Sequence, residues 1–370
     1  MALDIKAVKL AIIKMPLKSP FTTHLGSVTE REAIIVEVED GNGFIGCGEG
    51  VAFSSPWYTE ETVQTSYHML KDYLIPILKE KGISHPVEAF ALFSSVRRNH
   101  MAKAALETAL WDLQAKKEGV PLSALIGGTT EAIPAGVVVG NPSLTEALKQ
   151  IEGYLKQGFK RVKVKISPED DFHFISEIRK QYPNLPLMAD ANSAYSLKDV
   201  DRLKALDEFG LLMIEQPLGF DDIVNHATLQ KQIDTPICLD ESIVTFDDAR
   251  KAIELGSCKI INIKIGRVGG LGEAKRIHDY CHSKGIPVWA GGMIEFGISR
   301  AQNIALASLP GFTIPGDISG SDRYWEQDII MPEIKVENGM IKVPDSPGIG
   351  FELNRKRMKE VTVFEERFEF

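Results

Sequence analysis

Five ionisable residues stand at or beside the C-terminal ends of five short apolar runs. They are Lys165 in RVKVKI, Asp190 in LMAD, Glu215 in LLMIEQP, Asp240 in PICLD and Lys264 in KIINIKI. The three acids are separated by 25 and 25 residues, so each holds the same place in a repeating unit. Three carboxylates converging in apolar surroundings repel one another unless a cation neutralises them. Three oxygen ligands suit a hard ion such as Mg²⁺, with Mn²⁺ as the alternative, and leave room for water and substrate oxygens. Lysines flanking such an ion have a specific use, the removal of a proton next to a carboxylate. The metal stabilises the enolate-like dianion as it develops, and a neutral amine takes the proton. Two bases acting in turn racemise the carbon. One base followed by departure of a β-hydroxyl dehydrates it. The residues alone leave both endings open.

Two neighbours bear on the lysines. Lys163 precedes Lys165 by two positions, so on a strand both point to the same side, and a second ammonium favours the neutral form of Lys165. Asn262 stands in the same relation to Lys264 and is placed to orient it, to contact the metal shell or simply to hydrogen-bond. Any one of these residues alone also reads as half of an ion pair at a barrel mouth. Equal spacing and strand-end placement of the whole set favour the chemical reading. The segment GRVGGLG (266–272) does not match G-x-G-x-x-G, so it carries no dinucleotide signature. Its glycines read as the loop after a sixth strand, opening a helix near Leu271.

The positioning elements are visible as a change of texture at about residue 132. Eight apolar runs follow: AGVVVG, RVKVKI, LPLMAD, LLMIEQP, TPICLD, KIINIKI, IPVWAGG and FTIPGD. Charge-bearing helical segments such as SLTEALKQIEGYLKQG, TFDDARKAIELG and LGEAKRIHDYCHSKG separate most of them. Successive strand–helix units closing into a parallel barrel gather their strand ends into one pocket. The acids then fall on strands 3, 4 and 5, and the lysines on strands 2 and 6, opposed across the closure. An open doubly wound sheet would not bring both lysines to one site.

Upstream, EAIIVEVE, the turn DGNG and FIGCGEG read as strands. A helix is predicted from Thr59 to about Leu78, and another from about Met101 to Glu118 with Ala105, Leu106, Ala109, Leu110 and Leu113 on its apolar stripe. These form an α+β cap over residues 1–130, followed by a barrel over 131–315. The segment 316–370, with EIKVENGMIKV and VTVFEERFEF, returns to complete the cap. The loops PFTTHLG and AFSSPWYTEE carry more polar and aromatic groups than connections need, which places Phe21, Thr22, Thr23, Trp57 and Tyr58 near the substrate.

The 370 residues are 44% hydrophobic and 25% charged, ordinary globular usage, with a net charge of -9. No basic stripe is present, which excludes nucleic acid as a partner, and the acidic balance gives no attraction to anionic membranes. Cys47, Cys238, Cys258 and Cys281 are far apart and form no CxxC pair; they read as reduced packing residues of a cytoplasmic protein. No run approaches bilayer-crossing length.

With these residues in view, the chain resembles the enolase superfamily, in its branch of o-succinylbenzoate synthases and N-succinylamino acid racemases. The likeness spans nearly the whole chain: PFTT, AFSSPWYTEET, MAKAALETALWDLQAK, KVKI, MADAN, IEQP, CLDES, INIKIGRVGGLGEA, WAGGMIEFGISRA and PGD. It implies an α/β fold, a modified (β/α)7β TIM barrel under an N-terminal α+β capping domain completed by the C-terminal segment. It also implies Mg²⁺ on Asp190, Glu215 and Asp240, Lys165 as the base, and Lys264 as a cationic support or second base. Asn192 resembles the family's additional metal-side asparagine. Gly291, Gly292 and Met293 would lie beside the substrate, and Arg267 resembles an arginine of members able to racemise. A small carboxylate substrate and a homo-oligomer are expected. Dehydration by a synthase is the leading expectation, with racemisation the alternative.

Overall fold

The computed structural model describes residues 3–23, 26–140 and 143–370, and of Thr22 and Thr23 it describes only the backbone. The N-terminal unit is built on a four-stranded antiparallel sheet. Ile5–Thr23 pairs with Gly26–Asp40, which pairs with Ile45–Gly50. The expected DGNG turn is closed by Asp40, whose Oδ1 accepts the N–H groups of Asn42 and Phe44, both at 2.9 Å. The last strand, Thr362–Glu369, returns across the whole chain and pairs antiparallel with the first, Ala7 opposite Glu369 and Ile12 opposite Phe364.

The helix His100–Glu118 lies on this sheet with its expected stripe buried. FIGCGEG explains how close it comes. A Cβ on Gly46 would stand 2.1 Å from the Ala109 carbonyl oxygen, and one on Gly48 2.0 Å from that of Ala105. Only glycine allows the helix backbone to rest directly on the strand.

The helix expected from Thr59 starts later, at Val63, where Thr62 and Thr65 form a reciprocal capping box. Thr59–Glu61 stay outside it because Glu61 turns inward. Its carboxylate accepts the N–H groups of Met101 and Ala102 at 2.9 and 3.0 Å, capping the long helix instead of its own.

The second unit is a seven-stranded parallel sheet in sequential order, Val137–Val139, Val162–Lys165, Leu187–Asp190, Ile214–Glu215, Ile237–Leu239, Ile260–Ile263 and Val288–Ala290. The eighth run forms no regular strand. Pro315 has no N–H to give to a ladder, and closure comes through single bridges on either side of it. Phe312 bridges Val288 and Gly316 bridges Ala135. Gly136 N–H donates to Gly316 O at 2.7 Å, and Asp317 N–H to Ala290 O at 2.9 Å. The barrel therefore closes at the eighth position by a proline-interrupted segment.

Helices begin at the capping residues that the sequence offers. Ser143 caps Leu144–Lys156 in a capping box with Glu146, and Thr245 caps Phe246–Leu255. After the sixth strand a single turn, Ile265–Val268, precedes Gly269 and Gly270, and the helix opens at Leu271 as expected. Met188, Met213, Cys238, Ile260 and Trp289 form an apolar floor. All four cysteines are buried and free. Among the described residues no helix is long and apolar enough to cross a membrane.

Candidate active site

The parallel register puts the acids side by side: Lys165 lies opposite Asp190, and Asp190 opposite Glu215, on adjoining strands. Asp240 follows directly after the fifth strand, Ile237–Leu239. All three carboxylates are buried. Lys165 Nζ donates to Asp190 Oδ2 at 2.7 Å and to Asn192 Oδ1 at 2.5 Å. Lys163 Nζ bridges Asp190 Oδ2 and Glu215 Oε2, each at 3.0 Å, and reaches Asp317 Oδ2 at 2.6 Å. On the other side Lys264 Nζ donates to Asp240 Oδ2 at 2.9 Å and to the Tyr58 hydroxyl at 2.7 Å.

The charges explain one another. Burial, and then the neighbouring Asp190 carboxylate, push Glu215 up to about 8. Burial also opposes ionisation of Asp190, but Lys165 and Lys163 outweigh it and hold that carboxyl below its usual range. Asp240 is lowered too, with Arg267 and Lys264 overcoming burial. Lys264 is desolvated, yet Asp240 and Tyr58 raise it above an ordinary lysine. Lys163 is raised well above its normal value, because Asp317, Glu215 and Asp190 overcome its burial.

A single cavity is lined by Lys163, Lys165, Asp190, Asn192 and Lys264 from the barrel, and by Phe21, Trp57 and Tyr58 from the N-terminal unit. Gly292 and Met293 also line it; Gly291 does not. The role of Gly291 is spatial, since a Cβ there would stand 2.4 Å from Asn262 Oδ1 and 2.6 Å from Lys264 Cε. Glu215 and Asp240 lie beneath the cavity surface. Asn262 faces the acids rather than Lys264, its Nδ2 donating to Glu215 Oε1 at 2.8 Å. Arg267 pairs with Asp240 and donates to the Tyr58 hydroxyl at 3.0 Å, two partners that it shares with Lys264. The side chains of Thr22 and Thr23 lie outside the described residues.

Sequence reasoning missed Phe53, Val138, Ile294, Glu295, Asp317 and Tyr324, which line the same cavity. It also missed Glu241, which accepts from Asn192 Nδ2 at 2.9 Å. For Glu241 a signal existed, a second acid directly after Asp240 at the same strand end. Asp317 also ends an apolar run, FTIPGD. Ile294 has φ of 55°, a left-handed conformation unusual for a β-branched residue, and nothing in the sequence marks it.

The chemistry of the donor set, though not its spacing, suits a hard divalent cation. Three buried carboxylates on successive units offer only oxygen, and the buried Asn262 Oδ1 beside them has no hydrogen-bond partner among the described residues. Among those residues no three acidic, histidine or cysteine side chains are gathered at ligand spacing, and the Lys163 ammonium lies between two of the carboxylates.

The family comparison accounts for both units. Residues 6–127 match the mandelate racemase / muconate lactonizing enzyme N-terminal domain, and residues 146–357 match the enolase C-terminal domain-like model. The chain belongs to the enolase superfamily. This enolase superfamily chain is 57% identical to an o-succinylbenzoate synthase of Geobacillus stearothermophilus over 100% of its own length and 98% of the relative. It is 43% identical to an N-succinylamino acid racemase of Thermus thermophilus, over 98% of each. A solved enolase superfamily member from Listeria innocua superimposes with a TM-score of 0.96 at 43% identity, over 99% of each chain.

Proposed function

We propose that this enolase superfamily enzyme is an o-succinylbenzoate synthase, dehydrating 2-succinyl-6-hydroxy-2,4-cyclohexadiene-1-carboxylate to 2-succinylbenzoate. The observation that carries the reading is that Lys165 and Lys264 line one cavity, each hydrogen-bonded to a different carboxylate of the same buried set. Similarity to the Geobacillus synthase supports the choice of substrate.

Asp190, Glu215 and Asp240 would hold Mg²⁺. When bound, the cation neutralises these carboxylates and stabilises negative charge developing on a substrate carboxylate. Lys165, relieved of its pairing with Asp190, takes the proton next to that carboxylate at Nζ. Lys264 keeps its proton and stands as a cation beside the enediolate. The β-hydroxyl then leaves as water, taking the proton back from the Lys165 ammonium, which restores the neutral amine, and the ring becomes aromatic. Phe21, Phe53 and Trp57 cover the cavity from the N-terminal unit and exclude water from the charged intermediate.

A second reading has its own support. Tyr58 and Arg267 surround Asp240, the anion that keeps Lys264 protonated. A Lys264 held protonated can deliver a proton to the face opposite Lys165, and two-lysine 1,1-proton transfer of that kind would racemise N-succinylamino acids. The test is kcat/KM with Mg²⁺, measured side by side for the cyclohexadiene substrate and a panel of N-succinylamino acids. Strong dehydration with weak racemisation is the expected result. The reverse would make the enzyme primarily a racemase, and neither activity would sink both readings.

A further inference from the structure

Lys165 has two hydrogen-bond partners, Asp190 Oδ2 and Asn192 Oδ1. The second depends on which way round an amide stands. The two orientations of an asparagine amide have nearly the same shape, so its partners alone decide between them. Here the deciding partner is Glu241. Asn192 Nδ2 donates to Glu241 Oε1 at 2.9 Å, its one hydrogen bond among the described residues. The NH₂ group therefore faces Glu241, and the oxygen faces Lys165.

The backbone on both sides is held to match. Asn192 and Ser193 lie in the left-handed region, with φ of 40° and 66°. Asn192 N–H is anchored on Asp190 Oδ1 at 3.1 Å, and Ser193 N–H on Gln216 O at 2.8 Å. Glu241 is flanked by Asp240 and Ser242, whose N–H groups both donate to Gln216 Oε1 at 3.1 and 3.3 Å. Three successive strand-end loops thus fix one amide, and two non-glycine residues in strained conformations point to a site under tight geometric demand. Lys264 hydrogen-bonds to neither Asn192 nor Glu241; its side-chain partners are Tyr58 and Asp240, and the Glu241 carboxylate reaches it through its charge alone.

We propose that Glu241 is a positioning residue for Lys165, acting by locking the Asn192 amide with its oxygen toward the Lys165 nitrogen. With that acceptor in place, an N–H of the amine is directed at Asn192 and the lone pair is left aimed at the substrate. The proposal rests on the proton-abstracting role given to Lys165 above.

The test is a swap, read by dehydration kinetics with Mg²⁺. Glu241→Gln keeps the shape but lets the amide turn and present NH₂ to Lys165. It should lower kcat by about ten- to hundredfold, with KM within about threefold, as misplacement of a reacting group does. Glu241→Asp keeps a carboxylate acceptor for the Asn192 amide and should lose clearly less kcat than Glu241→Gln. Unchanged kcat in Glu241→Gln, or an equal kcat loss in Glu241→Asp and Glu241→Gln proteins that both melt like the wild type, overturns the proposal while leaving the functional reading intact. A wild-type protein with no dehydratase activity removes that reading and this inference with it.

Discussion

The Lys264 ammonium donates to the Tyr58 hydroxyl at 2.7 Å, a bond between a barrel strand end and a loop of the N-terminal unit, 206 residues apart in sequence. Tyr58 also accepts from Arg267 and donates to Asp240 at 3.2 Å. The loop therefore completes the polar surroundings of Lys264 as well as covering the cavity. Tyr58→Phe removes one acceptor from two buried cations and one donor from Asp240. The expected outcome is a loss of about tenfold or more in kcat/KM, since stranding buried partners costs about 1–3 kcal/mol. Steady-state assays beside a melting curve check it; unchanged kcat/KM would mean that the contact is incidental.

Lys264→Arg separates the two reactions. A guanidinium supplies the cation that dehydration needs, but it does not become a neutral base. Dehydration should survive better than racemisation, read as the ratio of the two kcat/KM values against wild type. Equal loss of both would contradict the cation-only role of Lys264 in dehydration.

Metal binding should stabilise the fold through the acids. A cation that binds only the folded state adds about 2.7 kcal/mol at a hundredfold excess over its Kd. Thermal melts in Mg²⁺ against EDTA should show a raised Tm for the wild type and a much smaller rise for Asp190→Asn. An equal rise in both would remove Asp190 from the ligand set.

Glu107, on the helix His100–Glu118, accepts the N–H groups of Leu271 and Gly272 at 2.7 and 2.8 Å, at the start of a barrel helix. Burial pushes its carboxyl up to about 7. A raised acid binds a proton more readily folded than unfolded, so its contribution is complete below the ordinary glutamate range and is lost as pH rises through about 7. Glu107→Gln should flatten the stability–pH slope between that range and neutrality by up to one proton, about 1.4 kcal/mol per pH unit. It should also cost about 1–3 kcal/mol overall, because one amide oxygen cannot replace two carboxylate oxygens. Denaturant melts across pH check both; a slope identical to wild type would contradict the shift.

Much of this site was legible because barrel strands repeat. Lys165, Asp190, Glu215, Asp240 and Lys264 share one structural address, and period alone identifies it. What escaped depends on contacts that no local pattern encodes. Asp317 meets Lys163 from 154 residues away and lies just past the proline that keeps the eighth run from becoming a strand. Glu61 fell within the first turn of the helix predicted from Thr59, but the unsatisfied N–H groups at Met101 and Ala102 claimed it. Asn262 was readable as facing inward. Whether it turned to Lys264 or to Glu215 depended on packing, and on the space that Gly291 leaves.

Every step of the proposed dehydration depends on Lys165 removing the proton. The most direct measurement is Mg²⁺-dependent dehydration by purified Lys165→Ala, with circular dichroism and Tm establishing that the fold is intact. The expected kcat falls by several orders of magnitude, to background, with no recovery at higher metal or substrate. A folded Lys165→Ala enzyme that dehydrates at close to the wild-type rate would contradict it.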